Sequence, residues 1–395
     1  MLERARSLAD ELVRLRRDIH AHPELSFQET RTAALVADTL QEIGGMRIRT
    51  GVGRTGVVAD LGDEQGPTIA IRADMDALPI IEALNHPYTS THAGVMHACG
   101  HDAHTAMLLG TAHLLRERFA AEGLRGRVRF LFQPSEEAWD SEGKSGAPRM
   151  IDDGALAGVD AVIALHVDST LPLGQITIRP GWTSAAVDDF KGRILGTGGH
   201  GAAPHEGTDT VLMLAAVINT LYSIKSRRLD PVQPGVLSIG VVRGGNASNV
   251  IPAEIVIEGT LRSYSEDVRT KLATEVERAF GVARALGGDY QLKITRGYPA
   301  GWNDQRVARW LEMVGGEYLG PSGLDNSPAG LGAEDFAYMC QCAPGAMFML
   351  GAAIDDGVVR AHHTPIFDID ERCLPTGAAI LAETALRFLR GQFSL

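Results

Sequence analysis

The chain has little cysteine: Cys99, Cys340, Cys342 and Cys373 are the only four in 395 residues. Four are too few for a disulfide framework, and they imply a reducing compartment. Cys340 and Cys342, one residue apart, are too close for an easy bridge and read as buried thiols. No stretch reaches eighteen apolar residues, so no membrane span is expected. The start, Met1-Leu2-Glu3-Arg4-Ala5-Arg6, lacks the apolar core of a signal peptide, and a cytoplasmic address is the expectation. Basic charge is in deficit, 37 Lys and Arg against 49 Asp and Glu, which leaves a net charge of −12. A nucleic-acid partner would need a basic face and is excluded on that ground. Internal repeats and low-complexity tracts are also missing. What is present is an ordinary globular composition, 45% apolar and 22% charged, in a chain too long for one core. Two domains are therefore expected.

Chemistry-bearing residues are concentrated in Met96-His97-Ala98-Cys99-Gly100-His101-Asp102-Ala103-His104, which runs into the apolar segment Thr105 to Leu115. One thiol and three imidazoles in nine residues read as half of a metal site on a loop before a helix. The other half is sought at strand ends. Thr68 to Ala73 reads as a strand ending in Asp74 and Asp76, whose i, i+2 spacing sends both carboxylates to one side. Asp74 could cap the following turn, but two acids leaving an apolar strand on one side call for a positive partner. Arg127 to Gln133 reads as a strand stopped by Pro134, with Ser135, Glu136 and Glu137 just beyond it. Asp160 to Leu165 reads as another strand, ending at His166. Function gathers outside the C-terminal ends of strands in open α/β sheets. His20 and His22 could be ligands or belong to a loop packed near the site, and Pro23 ends the helix before them.

The fold class expected is α/β: a mainly parallel sheet with helices on both faces, plus an inserted ferredoxin-like βαββαβ domain. Strands at Val187–Leu195, Gly235–Val242, Ala253–Arg262 and Tyr290–Thr295 and helices at Asp209–Ser226 and Glu266–Ala285 give that second pattern. The boundaries expected are 1–181 and 298–395 for the catalytic domain and 182–297 for the inserted lid or dimerisation domain. Gly332 to Phe336 should open a helix, Ala346 to Leu350 should form a strand, and Leu374 to Leu389 should close the chain as a helix.

Eight segments in order, HAHPELSFQE, RADMDALP, MHACGHDAH, FQPSEE, GGHGAAPH, SNVIPAE, GAEDF and HHTPIFDID, span nearly the whole chain. Together they resemble the metal-dependent amidohydrolases that include hippurate hydrolase, N-acyl-amino-acid deacetylases and auxin-conjugate hydrolases, within the aminoacylase and zinc carboxypeptidase superfamily. The resemblance implies two divalent metal ions per subunit, Zn²⁺ or Mn²⁺ with Co²⁺ or Ni²⁺ as further options. It implies Cys99, His101, Glu137, His166 and His363 as ligands, with Cys99 bridging. Asp76 would orient a ligand from behind, Glu136 would be the general base, and a metal-bridged hydroxide would be the nucleophile. His200 would reach the reacting carbonyl and Asn249 would contact substrate. His97 and His104 would support the ligands.

Donor chemistry agrees with those roles. Thiolate, imidazole and carboxylate suit borderline divalent ions. Two sequence features depart from the family pattern: a second histidine, His362, before His363, and a longer segment at 138–148 containing Trp139. The activity implied is hydrolysis of N-acyl amino acids, by a homodimer or higher homo-oligomer with no nucleic-acid or membrane partner. The alternatives are a carboxypeptidase or dipeptidase acting on short peptides, and a non-catalytic metal-binding scaffold, which would not need Glu136.

Overall fold

The computed structural model describes residues 1–328 and 330–395. The chain forms two compact units. The first holds Met1–Gly181, Trp302–Pro328 and Tyr338–Leu395, and the second holds Trp182–Gly301 with a short segment ending at Ala337.

The first unit is built on an eight-stranded sheet. Its strands are β1 (Met46–Val52), β2 (Gly56–Gly62), β3 (Thr68–Asp74), β4 (Arg127–Gln133), β5 (Ala161–Pro172), β6 (Ile176–Thr177), β7 (Leu324–Asp325) and β8 (Gly345–Ala353), in the order β1-β2-β4-β3-β5-β8-β6-β7. The central strands β4, β3, β5 and β8 run parallel. Strands β1 and β2 are antiparallel at one side, and β6 pairs antiparallel with β8 at the other. Every residue of β3 and of β4 is buried. Since alternate side chains point to opposite faces, both faces of these strands are covered, as a parallel sheet requires. The helices Ala9–Ala21, His101–Glu122, Gln305–Leu319 and Leu374–Leu389 share one apolar core with the sheet. The closing helix Leu374–Leu389 forms where expected. Most of its circumference is apolar and buried, as a helix packed on several sides must be.

Some local expectations are corrected. His166 does not end its strand: β5 continues to Pro172 because β8 keeps pairing beyond Met349, the partner of His166. Pairing of β5 with β3 stops at Ala164, so His166 lies where the β3 side of β5 is already released. The last short helix begins at Phe336 rather than Gly332. Cys342, at its exposed end, is not a buried thiol. Strand β1 escaped the sequence reading because it is an edge strand carrying Arg47, Arg49 and Gly51 rather than an alternating apolar pattern.

The second unit has a four-stranded antiparallel sheet in the order Gly235–Arg243, Glu254–Ser263, Ala186–Leu195, Asp289–Arg296. With the helices Thr210–Arg227 and Glu266–Ala285 the chain order is βαββαβ. Burial alternates along Ala186–Leu195, so one sheet face carries the core with the helices. Both helices start on side-chain caps: Asp209 accepts from the Val211 and Leu212 N–H groups and Ser265 accepts from Val268 N–H. No helix among the described residues is long and apolar enough to cross a membrane.

Candidate metal and active site

The Cys99 loop and the helix after it are joined by Gly100, whose φ is +94°. An added Cβ there would run into the Val167 side chain, so glycine is needed for both conformation and approach. This left-handed cap lets Cys99 and His101 project to one place. His101 Nδ1 donates to the Asp76 carbonyl at 2.9 Å and lies 3.2 Å from Asp76 Oδ1. Its Nε2, buried and without a hydrogen-bond partner among the described residues, is 3.9 Å from Glu137 Oε1. His166 Nδ1 donates to the Val167 carbonyl at 2.7 Å, which turns the Nε2 lone pair toward Cys99 Sγ, 3.5 Å away. Both imidazoles are thus held in a tautomer that leaves Nε2 free to bind a cation.

His363 comes from the far end of the chain. Its φ is +61°, its N–H donates to the Ala98 carbonyl at 2.8 Å, and its Nε2 is 3.0 Å from Glu137 Oε1. Cys99, His101 and His166 place their donor atoms within 4.8 Å of one another, and so do Cys99, Glu137 and His363. Cys99 is common to both groups. All five residues named from the sequence as ligands are therefore brought together. Glu136 is nine-tenths buried, and its carboxylate lies within the same distance of the His101 and Glu137 donors.

A further trio, Asp74, His101 and His104, is close enough to hold an ion. There, however, His104 Nδ1 donates to Asp74 Oδ1 at 2.6 Å and its Nε2 accepts from Val167 N–H at 2.9 Å. Both ring nitrogens are committed to tying the end of β3 to β5, which leaves no lone pair for a metal. His104 is a support, and burial keeps its pKa down at about 4 despite Asp74. His97 is also buried, with its ring centroid 6.2 Å from that of His20, and burial pushes its pKa down to about 3.

The electrostatics favour a cation. Burial opposes charge on His101, yet Asp74, Asp76 and Glu137 together raise its pKa to about 10. Burial first, then Glu137, Glu136 and Asp74, push the Cys99 thiol well above its ordinary range. A thiolate can persist among these carboxylates only beside a positive ion, so the donor set fits a divalent metal. Asp76 organises the carboxylate turn: its Oδ1 accepts from Glu136 N–H and its Oδ2 from Glu137 N–H, each at 3.0 Å, and Ser26 donates to Oδ2 at 2.7 Å.

Residues without an assigned role also surround the cluster. Arg16, fully buried, donates to Asp102 at 2.8 Å and to Asp368 at 2.9 Å, and His20 Nδ1 lies 2.8 Å from the same Asp102 oxygen. His20 thus packs behind the site, on the last turn of the helix Ala9–Ala21 rather than in the loop expected from the sequence. Arg16 is legible in the sequence only as a charge among Leu12, Leu15 and Ile19, which recur at helical spacing and are buried on the same helix. The longer 138–148 segment is pinned by Asp140, which accepts from the Glu142 and Lys144 N–H groups and pairs with Arg54 and Arg149. Trp139 there is 37% exposed. His362 packs its ring 5.2 Å from that of His166.

His200 and Asn249 belong to the second unit. His200 is exposed, pairs with Val250 on a two-residue strand, and its Nδ1 accepts from Ala202 N–H at 3.0 Å, leaving Nε2–H as a donor. Asn249 is exposed, and its carbonyl accepts from Gly201 N–H at 2.8 Å. The unit therefore brings these two residues together, His200 on the strand Gly199–His200 and Asn249 in the turn just before its partner strand Val250–Ile251.

Residues 70–387 match the profile of peptidase family M20/M25/M40. The chain is 40% identical to N-acetyl-L-cysteine deacetylase of Bacillus subtilis over 97% of this chain and 89% of that protein. It is 38% identical to thermostable carboxypeptidase 1 of Saccharolobus solfataricus over 97% of this chain and 96% of that protein. Among solved structures it is similar to the YXEP protein of Bacillus subtilis, described as a dinuclear metal binding peptidase from the M20 family. That match has a TM-score of 0.83 and 33% identity and covers 98% of this chain and 99% of that one. The chain belongs to peptidase family M20/M25/M40 and is a metal-dependent hydrolase.

Proposed function

We propose that the chain hydrolyses the amide bond of N-acyl amino acids to a carboxylic acid and a free amino acid. The observation that carries this reading is the pair of donor groups sharing Cys99, with the Glu136 carboxylate beside them. Cys99, His101 and His166 would hold one divalent ion and Cys99, Glu137 and His363 the other, with Zn²⁺ or Mn²⁺ favoured by the mixed donors. Bound ions would supply Lewis acidity, lowering the pKa of water and polarising the amide oxygen. Glu136 takes the proton from the attacking water and delivers it to the departing nitrogen. Asp76 keeps Glu136 and Glu137 apart in their tasks by holding both of their N–H groups. His200, with Nε2–H as its donor, would stabilise the developing oxyanion, and Asn249 would hold the substrate.

Residues 182–297 would act as a lid and dimerisation domain. Exposed Val211, Leu212, Tyr222 and Val242 in that segment support a homodimer. A reducing, cytoplasmic setting suits a site that needs Cys99 unoxidised.

The test is a panel of N-acetyl and N-benzoyl amino acids and dipeptides, assayed with wild type and Glu136→Gln. The expected result is turnover of the N-acyl amino acids, lost in Glu136→Gln while two metals remain bound. Turnover surviving that substitution would overturn the mechanism. The second reading, a carboxypeptidase or dipeptidase, is favoured by the similarity to the carboxypeptidase, and a preference for dipeptides in the same panel would establish it.

A further inference from the structure

Glu29 closes the sequence segment HAHPELSFQE and is a residue of it to which no role has so far been attached. It immediately precedes the helix Thr30–Ile43 and is fully buried. A buried carboxylate is retained only with partners for its oxygens. Oε1 accepts from the Phe27 N–H at 2.9 Å and from the Ser135 N–H at 2.8 Å, and Oε2 accepts from the Thr55 hydroxyl.

Ser135 is the informative partner. It is fully buried, it precedes Glu136 and Glu137, and its φ is +46°, in the left-handed region that a non-glycine residue enters only under constraint. The next two N–H groups, those of Glu136 and Glu137, go to Asp76. Three successive N–H groups of one turn are thus received by two buried carboxylates from different segments, a concave arrangement of donors suited to anions. Asp76 fixes the last two peptides. Glu29 holds the N–H of the peptide that reverses the chain after β4, while the Ser135 carbonyl accepts from the Gly146 N–H at 2.8 Å and its hydroxyl donates to the Ala138 carbonyl at 2.9 Å. The Glu29 bond is the one that ties this turn to the segment before the helix Thr30–Ile43, and it bears on the direction in which Glu136 leaves it.

We propose that Glu29 is a positioning residue for the general base: it holds Ser135 left-handed and so aims the Glu136 carboxylate. The proposal rests on the reading of Glu136 as that base. Burial, with Asp76 opposite, raises the pKa of Glu29 to about 7, and a protonated carboxyl can still accept both N–H groups through Oε1. Glutamine should therefore substitute: its carbonyl oxygen takes the two N–H groups and its amide donates to Thr55.

The experiment compares Glu29→Ala, Glu29→Gln and Glu29→Ala combined with Ser135→Gly in the metal-loaded enzyme, with turnover, metal content and a crystal structure as readouts. Glu29→Ala is expected to lower kcat by about 10- to 100-fold with little change in KM, the scale for a small misplacement of a reacting group. Two metals per chain should remain, because Asp76 still holds the Glu137 peptide. Glu29→Gln should restore most of the rate. Ser135→Gly should restore part of it, because glycine adopts positive φ unaided. Should Glu29→Ala fail to fold, Glu29→Asp, one methylene too short to reach Ser135, takes its place with the same expectation.

The proposal is overturned if the shortened variant keeps the wild-type kcat, if Glu29→Gln is equally impaired, or if the crystal structure of the shortened variant leaves Ser135 φ and the Glu136 carboxylate in place. The structural readout decides the matter whatever substrate the enzyme takes. Turnover by Glu136→Gln would overturn the general-base reading instead, so the two failures are distinguishable.

Discussion

Arg16 and Asp102 meet at 2.8 Å with neither side chain reaching solvent. The same guanidinium binds Asp368, five residues beyond His363, at 2.9 Å. One buried cation therefore ties the neighbour of His101 to the segment of His363, across nearly the whole length of the chain. Replacing Arg16 with Met leaves two buried carboxylates without their cation, which costs about 3–5 kcal/mol when one partner of a buried pair is removed. Urea unfolding of Arg16→Met should show a loss of that size. A loss below about 1 kcal/mol would mean that the carboxylates had found other partners.

Gly100→Ala tests the loop geometry. A left-handed alanine costs about 1–2 kcal/mol, and overpacking against Val167 adds about 1–3 kcal/mol. Metal content should fall together with stability, because Cys99 and His101 lie on either side of the strained residue. A variant that melts lower yet holds two ions as tightly as wild type would show that the glycine serves folding alone.

Metal removal should weaken the protein as well as silence it. Asp74, Asp76, Glu136, Glu137 and Cys99 gather around the donor groups, and an ion that binds only the folded state stabilises it by RT ln(1 + [L]/Kd). Chelation is expected to lower Tm, and added Mn²⁺ or Zn²⁺ to restore it. Cys99→Ala removes the donor common to both groups, so its metal content should drop below that of His166→Ala, which touches one group only. Equal metal content in the two variants would argue against a shared thiolate.

The pH dependence of Glu29 has a definite sign. The folded state holds its proton up to about pH 7, whereas an unfolded glutamate releases it near about 4.3. Unfolding between those values releases a proton, so this group makes stability fall as pH rises through the window and level off above it. Melting temperatures from pH 4.5 to 7.5 should show a shallower decline for Glu29→Gln than for wild type. Parallel curves would place the ionisation of Glu29 at its ordinary value.

Sequence alone determined what local spacing and local chemistry can encode. Examples are the loop that places a thiol and an imidazole just before a helix at Cys99 and His101, and the stop at Pro134 before the tandem glutamates. The alternation of the βαββαβ segment belongs with them. Each follows from residues within a few positions of one another. Tertiary structure alone decided that Cys99 belongs to two donor groups and that His104 spends both ring nitrogens on Asp74 and Val167. It also decided that His166 sits within a strand continued by β8, and that Arg16 and Glu29 are buried behind the carboxylate and histidine segments. Those facts depend on partners as far apart in sequence as Arg16 and Asp368, 352 positions, with His104 and Asp74 30 positions apart. No periodicity links such residues. Parallel strand order and the packing of chain ends bring them together, and burial then makes each unpaired charge costly enough to specify its partner.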